Sequence, residues 1–356
     1  MDRKKVEILI YGKDQALLVS GLAVLFMVVH HIFGFDHLRL EDNVLVPLIE
    51  VYGISLGKVF AAFGKICVAV FAFNTGYVMW KKREDYTFTN NVRRILKFII
   101  SYWIVYLLFL CYGLVSQEQM PTLSVFFLNL IGLHTGTFVQ SVNVPYAWYV
   151  CFYIFFIFSS PVIIRLSSMK KRGCIFFFLL WFVVAQLYSL IGMQGILGEA
   201  LKIYISVGIN ALTGIFFSKY HLFDFFSKYL PKDFLKSELL FLLLIAVRQL
   251  SILLFMATYL DIVYAPLFVF LTVNIMSYVN RYPLFIRLFK ILGKYSMNIW
   301  FLHGIFFMGT MKLQWILYLP KQSIFVLVWG LFLIIILSKF VTSIQNFVLK
   351  RVGLRQ

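Results

Sequence analysis

The sequence predicts an all-α protein, a polytopic membrane helix bundle of about ten transmembrane helices with N- and C-termini cytoplasmic. Three observations predict it. Hydrophobic residues make up 62% of the 356 positions and charged residues only 13%, against roughly 25% charged in a soluble domain. Mean hydropathy is +0.88. Apolar runs of spanning length recur along the chain, and the segments between them alternate between basic and base-poor.

A span needs about 20 apolar residues. Candidates lie at 15–35, 58–80, 95–115, 147–166, 174–194, 200–217, 237–258, 262–279, 295–317 and 323–343. The first follows Asp2-Arg3-Lys4-Lys5, exceeds a signal-peptide core and meets no small-residue cleavage site, so an uncleaved span is expected. An eleventh run, 123–133, has only about half the needed length. Charge decides whether it crosses. Basic segments are the N-terminus (Arg3, Lys4, Lys5, Lys13), 81–97, 165–172, 219–236, 281–294 and the tail. They hold 26 of the 33 Lys and Arg. The poor segments are 36–57, with Asp36, Glu41, Asp42 and Glu50, then 116–146, 195–199, 259–261 and 318–322. If 123–133 stops partway, every basic segment falls on one side; if it crosses, the Lys170-Lys171-Arg172 loop moves outside. The positive-inside rule selects the first arrangement. It also accounts for the +18 charge without nucleic acid. No internal repeat is evident, so residues 1–356 are expected to form a single domain. Cys67, Cys111, Cys151 and Cys174 stand singly in or beside apolar stretches, without metal-ligand or disulfide spacing.

Ionisable groups inside spans are expensive and point to function or to bundle-internal pairing. They are His30 and His31 in the first span, Lys65 in the second, Arg248 and His303. At about 1.5 Å per residue, His31 and Lys65 reach similar depths from opposite ends. A lysine beside a histidine keeps the imidazole neutral, as a general base requires. The same residues also suit a translocation path, so a membrane transporter or flippase stands as the rival class.

Four segments in order carry a resemblance. Ser20-Gly21-Leu22-Ala23 leads to His30-His31, and Phe71-Ala72-Phe73-Asn74-Thr75-Gly76-Tyr77 is followed by Arg93-Arg94-Ile95-Leu96-Lys97 and Tyr102-Trp103. Trp148-Tyr149 precedes Pro161, and Leu292-Gly293-Lys294-Tyr295-Ser296 runs on to Leu302-His303. Together they resemble the acyltransferase-3 family of bacterial integral-membrane O-acyltransferases. The resemblance implies O-acylation, above all O-acetylation, of a cell-surface or lipid-linked saccharide in the bacterial cytoplasmic (inner) membrane. Cytoplasmic acyl-CoA, acetyl-CoA first, is then the donor substrate. No bound cofactor and no metal is implied, and the partners are acyl-CoA, the saccharide acceptor and membrane lipids. His31 is the expected base and His30 the second choice. Arg93, Arg94 and Lys97 would hold CoA phosphates, Arg248 the acyl group or a phosphate, and Trp148 and Tyr149 a stacked sugar. Lys65 and His303 complete the candidate substrate-binding set.

The chain departs from the family pattern at three places. Ser20 stands where a basic residue is usual, eleven residues before His31 and on the same helix face. That charge would pass to Lys65 or Lys13. Lys97 replaces an Arg and loses the planar fork. Tyr153 occupies a position where many members carry Glu. No appended extracytoplasmic domain is expected.

Overall fold

The computed structural model describes residues 11–354 apart from 36–38, 41, 52, 134–143, 145, 146, 192–194, 256–258 and 308–312. The basic residues Arg3, Lys4, Lys5 and Arg355 and the acids Asp36 and Glu41 lie outside the described residues. The fold is helical. Helix α1 (Lys13–Phe33) is followed by one two-residue pairing, β1 (Glu50–Val51) with β2 (Ile54–Ser55). Then come α2 (Leu56–Gly64), α3 (Ile66–Lys81), α4 (Phe88–Val115), α5 (Leu123–Leu130), α6 (Trp148–Phe158), α7 (Ser160–Ser167), α8 (Lys171–Ile191) and α9 (Ile196–Lys219). The chain continues through α10 (Leu222–Tyr229), α11 (Phe234–Phe255), α12 (Asp261–Val279), α13 (Pro283–Leu302), α14 (Gly304–Phe307), α15 (Gln314–Tyr318) and α16 (Ser323–Arg351).

Seven stretches among the described residues are long and apolar enough to cross a membrane: α1, the α2–α3 pair, α4, α8 over Lys171–Tyr188, α9, α12 and α16. The α6–α7 pair, bent by 60°, makes an eighth if it counts as one span. Among the described residues, the expected spans 237–258 and 295–317 fall outside this set. Helix α11 carries Lys236, Glu238 and Arg248, and α13 carries Arg287, Lys290 and Lys294. The expected span 295–317 is moreover not one helix. Helix α13 begins earlier, at Pro283, and stops at Leu302. The bend between α6 and α7 sits where Pro161 enters the first turn of α7, since proline has no amide to donate backwards. The exposed apolar residues of α8, such as Phe176, Leu180 and Val183, and of α16, such as Phe332 and Phe340, suit lipid contact.

The short run at 123–133 forms α5, eight residues long. At about 1.5 Å per residue it is far shorter than a bilayer core. Helix α4 anchors it: Trp103 Nε1 donates to the Leu130 carbonyl at 2.7 Å, and Asn129 Nδ2 donates to Tyr106 Oη at 3.1 Å.

The chain divides into two compact units. Unit 1 comprises Met1–Lys81, Asn210–Ser296 and Tyr318–Leu331. Its helices meet at glycines. A Cβ on Gly21 would lie 2.0 Å from the Phe289 carbonyl oxygen, and one on Gly293 the same distance from that of Leu17, so α1 and α13 cross through a reciprocal glycine pair. Gly76 and Gly214 do the same for α3 and α9, against Ala211 and Phe73. Such approach needs residues without side chains. Where the resemblance has a cation, Ser20 accepts from Asn74 Nδ2 at 3.4 Å, and Asn74 Oδ1 accepts from the Tyr11 hydroxyl at 2.5 Å. The position is filled by a neutral network.

Unit 2 comprises Lys82–Ile209, Met297–Leu317 and Phe332–Gln356. Asn298 ties three helices together, accepting from Ser101 of α4 at 2.6 Å and donating to Thr342 of α16 at 2.7 Å. Tyr153 stacks on Phe98 of α4 with ring centroids 4.1 Å apart, so the residue in place of the family's acid packs as an aromatic.

Candidate functional site

In unit 1 the second apolar run is one span, Leu56–Lys81, as expected, but its helix is interrupted at a single residue. It breaks at Lys65, between α2 and α3. Locally the break follows Gly64, where a Cβ would lie 2.2 Å from the Phe26 carbonyl oxygen of α1. A helix end leaves its last carbonyls without amide partners, and in hydrocarbon no water replaces them. Here side chains do. His30 Nδ1 lies 2.7 Å from the Ala61 carbonyl oxygen. Arg248 Nη1 donates to the carbonyls of Ala62 at 3.2 Å and Phe63 at 3.0 Å. Gln249 Nε2 donates to the Val59 carbonyl.

Arg248 is fully buried and forked onto Asp261: Nε to Oδ1 at 2.7 Å and Nη2 to Oδ2 at 3.0 Å. A bidentate carboxylate pair satisfies a buried guanidinium far better than a single contact. Sequence reasoning missed Asp261, having counted it only as part of a base-poor loop. The signal was available, because a charge inside a span calls for an opposite partner and Asp261 opens the very next helix. The structure places Arg248 in that pair and at the end of α2, which differs from the expected contact with an acyl group or phosphate.

His31 is buried, and its ring stacks on Phe35 at 5.3 Å with 12° between planes. His30 is half-buried, with its ring centroid 5.0 Å from that of His31. Lys65 is exposed, and its charge and that of Arg248 both reach His30. The four intramembrane candidates of unit 1, His30, His31, Lys65 and Arg248, therefore gather at one helix break.

Near the break unit 1 holds a cavity of about 410 Å³. Val29, Phe33, Phe60 and Leu327 line it with apolar surface, and Arg39 and Lys58 stand at its polar edge. Its volume lies within the usual range for ligand pockets. Val29 shares its turn of α1 with His30.

Unit 2 gathers the remaining candidates into two groups. At the start of α4, Arg93 is exposed and Lys97 half-buried, one turn apart on one face. Among the described residues neither side chain has a polar partner. Arg94 is tied down instead: Nη1 donates to the Asp85 carbonyl at 2.8 Å, and its guanidinium lies 4.1 Å from the Tyr86 ring centroid. Burial pushes the Tyr86 hydroxyl above the ordinary tyrosine pKa, with Arg94 opposing, so this ring stays neutral beneath the cation. Trp148 and Tyr149 meet Trp300 at 5.9 and 5.0 Å. His303, fully buried, has its ring 6.1 Å from Trp300 and its Nδ1 2.6 Å from the Trp300 carbonyl. Trp300 is the organising residue here, and sequence reasoning passed over it.

All four cysteines are free; three are buried and Cys111 is exposed. Among the described residues no three His, Cys, Asp or Glu side chains converge as metal ligands.

Comparison with known families gives one match: a family model described as an acyltransferase domain covers residues 18–343. No curated protein and no solved structure matches the chain.

Proposed function

Because this chain belongs to the acyltransferase-3 family and is therefore a membrane acyltransferase, we propose that it moves an acyl group, acetyl first, from cytoplasmic acyl-CoA to a hydroxyl of a surface or lipid-linked saccharide. The observation that carries this reading is the gathering of His30, His31 and Lys65 where the helix of the second span is interrupted, on the α1 turn next to Val29, which lines the cavity of unit 1. In the proposed chemistry His31 takes the proton of the acceptor hydroxyl as its oxygen attacks the thioester carbonyl. The carbon–sulfur bond breaks, the ester forms, and the proton passes to the departing CoA thiolate. General-base help of this kind contributes about 10²–10⁴-fold.

Arg93 and Lys97, with free side chains on one face of α4, are proposed to meet CoA phosphates, with Arg94 fixing the loop beside them. Trp148 and Tyr149, packed on Trp300, offer aromatic faces on which a sugar ring stacks. The cavity, apolar within and edged by Arg39, Lys58 and Glu50, fits an acceptor that brings an apolar carrier. Ten crossings with the basic segments on the cytoplasmic side of a bacterial inner membrane complete the reading.

Mass spectrometry of surface polysaccharide from a deletion strain tests it. The acetyl mass increment per repeat should vanish on deletion, return with the wild-type gene, and stay absent with His31→Ala at equal membrane levels. Polysaccharide that reaches the surface in reduced amount but with unchanged acetylation would support the transporter class instead.

A further inference from the structure

The break at Lys65 is held by side chains from three other elements, and their chemistry separates the two histidines. A carbonyl oxygen can only accept. The 2.7 Å contact with Ala61 therefore requires that His30 Nδ1 carry the hydrogen. That ring is anchored to the end of α2. The neighbouring carbonyls of Ala62 and Phe63 take Arg248 Nη1, while Nε and Nη2 of the same guanidinium are fixed by the two oxygens of Asp261. With Arg248 at 0% exposure, no edge of its fork faces a ligand. Two of the last carbonyls of α2, Ala61 and Ala62, thus depend on two residues, one of which depends on a third, and the Phe63 carbonyl shares Arg248 with the Lys65 amide. The next residue after His30 in α1 points about 100° away around the helix, and its ring lies flat against Phe35.

We infer that His30, Arg248 and Asp261 are positioning residues, which clamp the broken end of α2 and through it hold the α1 turn that presents His31. None of the three touches substrate. The clamp also fixes Lys65, the first residue beyond α2, so the exposed lysine and the buried histidine keep a set relation within unit 1. This inference rests on the assignment of His31 as the base.

Asparagine separates a tether from a base. Its amide N–H stands close to where Nδ1 of histidine lies, and it has no nitrogen that takes a proton at neutral pH. In a deletion strain carrying variants at equal membrane levels, His30→Asn should restore surface acetylation to within about threefold of wild type. His30→Ala, Arg248→Ala and Asp261→Asn should each lower it tenfold or more, and the double variant Arg248→Ala/Asp261→Ala should fall no further than the worse single. His31→Asn should abolish it. A His30→Asn protein as inactive as His31→Asn, or an Arg248→Ala protein at wild-type level, overturns the inference.

A second readout needs no activity. The ¹⁵N ring signals of His30 in the purified full-length protein should report hydrogen on Nδ1, and in Asp261→Asn, a variant without a cavity, that preference should be lost. If it survives in Asp261→Asn, the clamp is wrong. If wild-type protein neither acetylates polysaccharide nor consumes acetyl-CoA while the ¹⁵N result holds, the clamp stands and the proposed reaction falls.

Discussion

Two of the helix ends described carry a histidine whose Nδ1 meets a backbone carbonyl, and they use it in opposite ways. At the end of α13, His303 turns back on the Trp300 carbonyl of its own helix, three residues earlier. At the end of α2, the carbonyl of Ala61 is taken by His30, thirty-one residues away on α1, and its neighbours by Arg248, more than 180 residues away on α11. The first is a stop that the local sequence completes alone. The second makes the end of one helix depend on two others. Losing a local cap frays one turn, whereas losing a cross-helix cap changes the spacing of every helix that supplied it. A reactive side chain kept at fixed geometry belongs at the second kind of end.

Arg248→Leu is the sharpest way to break this contrast. It strands Asp261 in the interior and takes the donor from the Ala62 carbonyl, and loss of about 3–5 kcal/mol is expected, read as a fall in thermal midpoint of detergent-solubilised protein. The companion variant Arg248→Leu/Asp261→Leu removes both charges and should recover much of that loss, since a buried pair replaced by apolar groups is often neutral. Recovery to wild type would mean that the carbonyl contacts matter little. His303→Ala removes one local hydrogen bond and should cost about 1 kcal/mol. A loss there as large as at Arg248 would erase the distinction between the two ends. The exposed pair Lys290–Asp14, at 2.6 Å with side chains 39% and 65% accessible, sets the bottom of the scale. Asp14→Asn should shift stability by no more than about 1 kcal/mol, and by less at high salt.

The same contrast explains what the sequence could and could not disclose. Hydropathy located α1, α8, α9 and α12 within a few residues, because each is one uninterrupted apolar run, and placed α4 and α16 but missed the polar turns at the start of α4 and the end of α16. It found 58–80 as one span, which Leu56–Lys81 is, but nothing local to Gly64 and Lys65 announces the one-residue interruption inside it. The break is stabilised by donors from α1 and α11, which no window on α2 contains. It likewise joined 295–317, where α13 in fact begins twelve residues earlier on a basic stretch and stops before His303. The shortness of 123–133 was legible from length and charge parity, but its anchoring by Trp103 and Tyr106 was not.

Among the candidate residues, His30, His31, Lys65 and Arg248 stand together in unit 1. Assigning jobs needed partners. Arg248 was distinguishable from a substrate contact only once Asp261 was seen beneath it. Arg93, Arg94 and Lys97 read alike as charges, yet only Arg94 is pinned to its own loop.

The reciprocal glycine crossings carry one further consequence. Gly21, Gly76 and Gly293 lie inside the segments on which the family likeness rests, and each is fixed by a backbone oxygen about 2 Å from where a methyl carbon would be. Those letters of the signature encode the distance between helix axes. A descendant could exchange His31 for a residue that fits its buried place against Phe35, keep the three glycines, and still carry the scaffold in working order. On the proposed role of His31, such a chain would read as kin by its skeleton while having lost its trade.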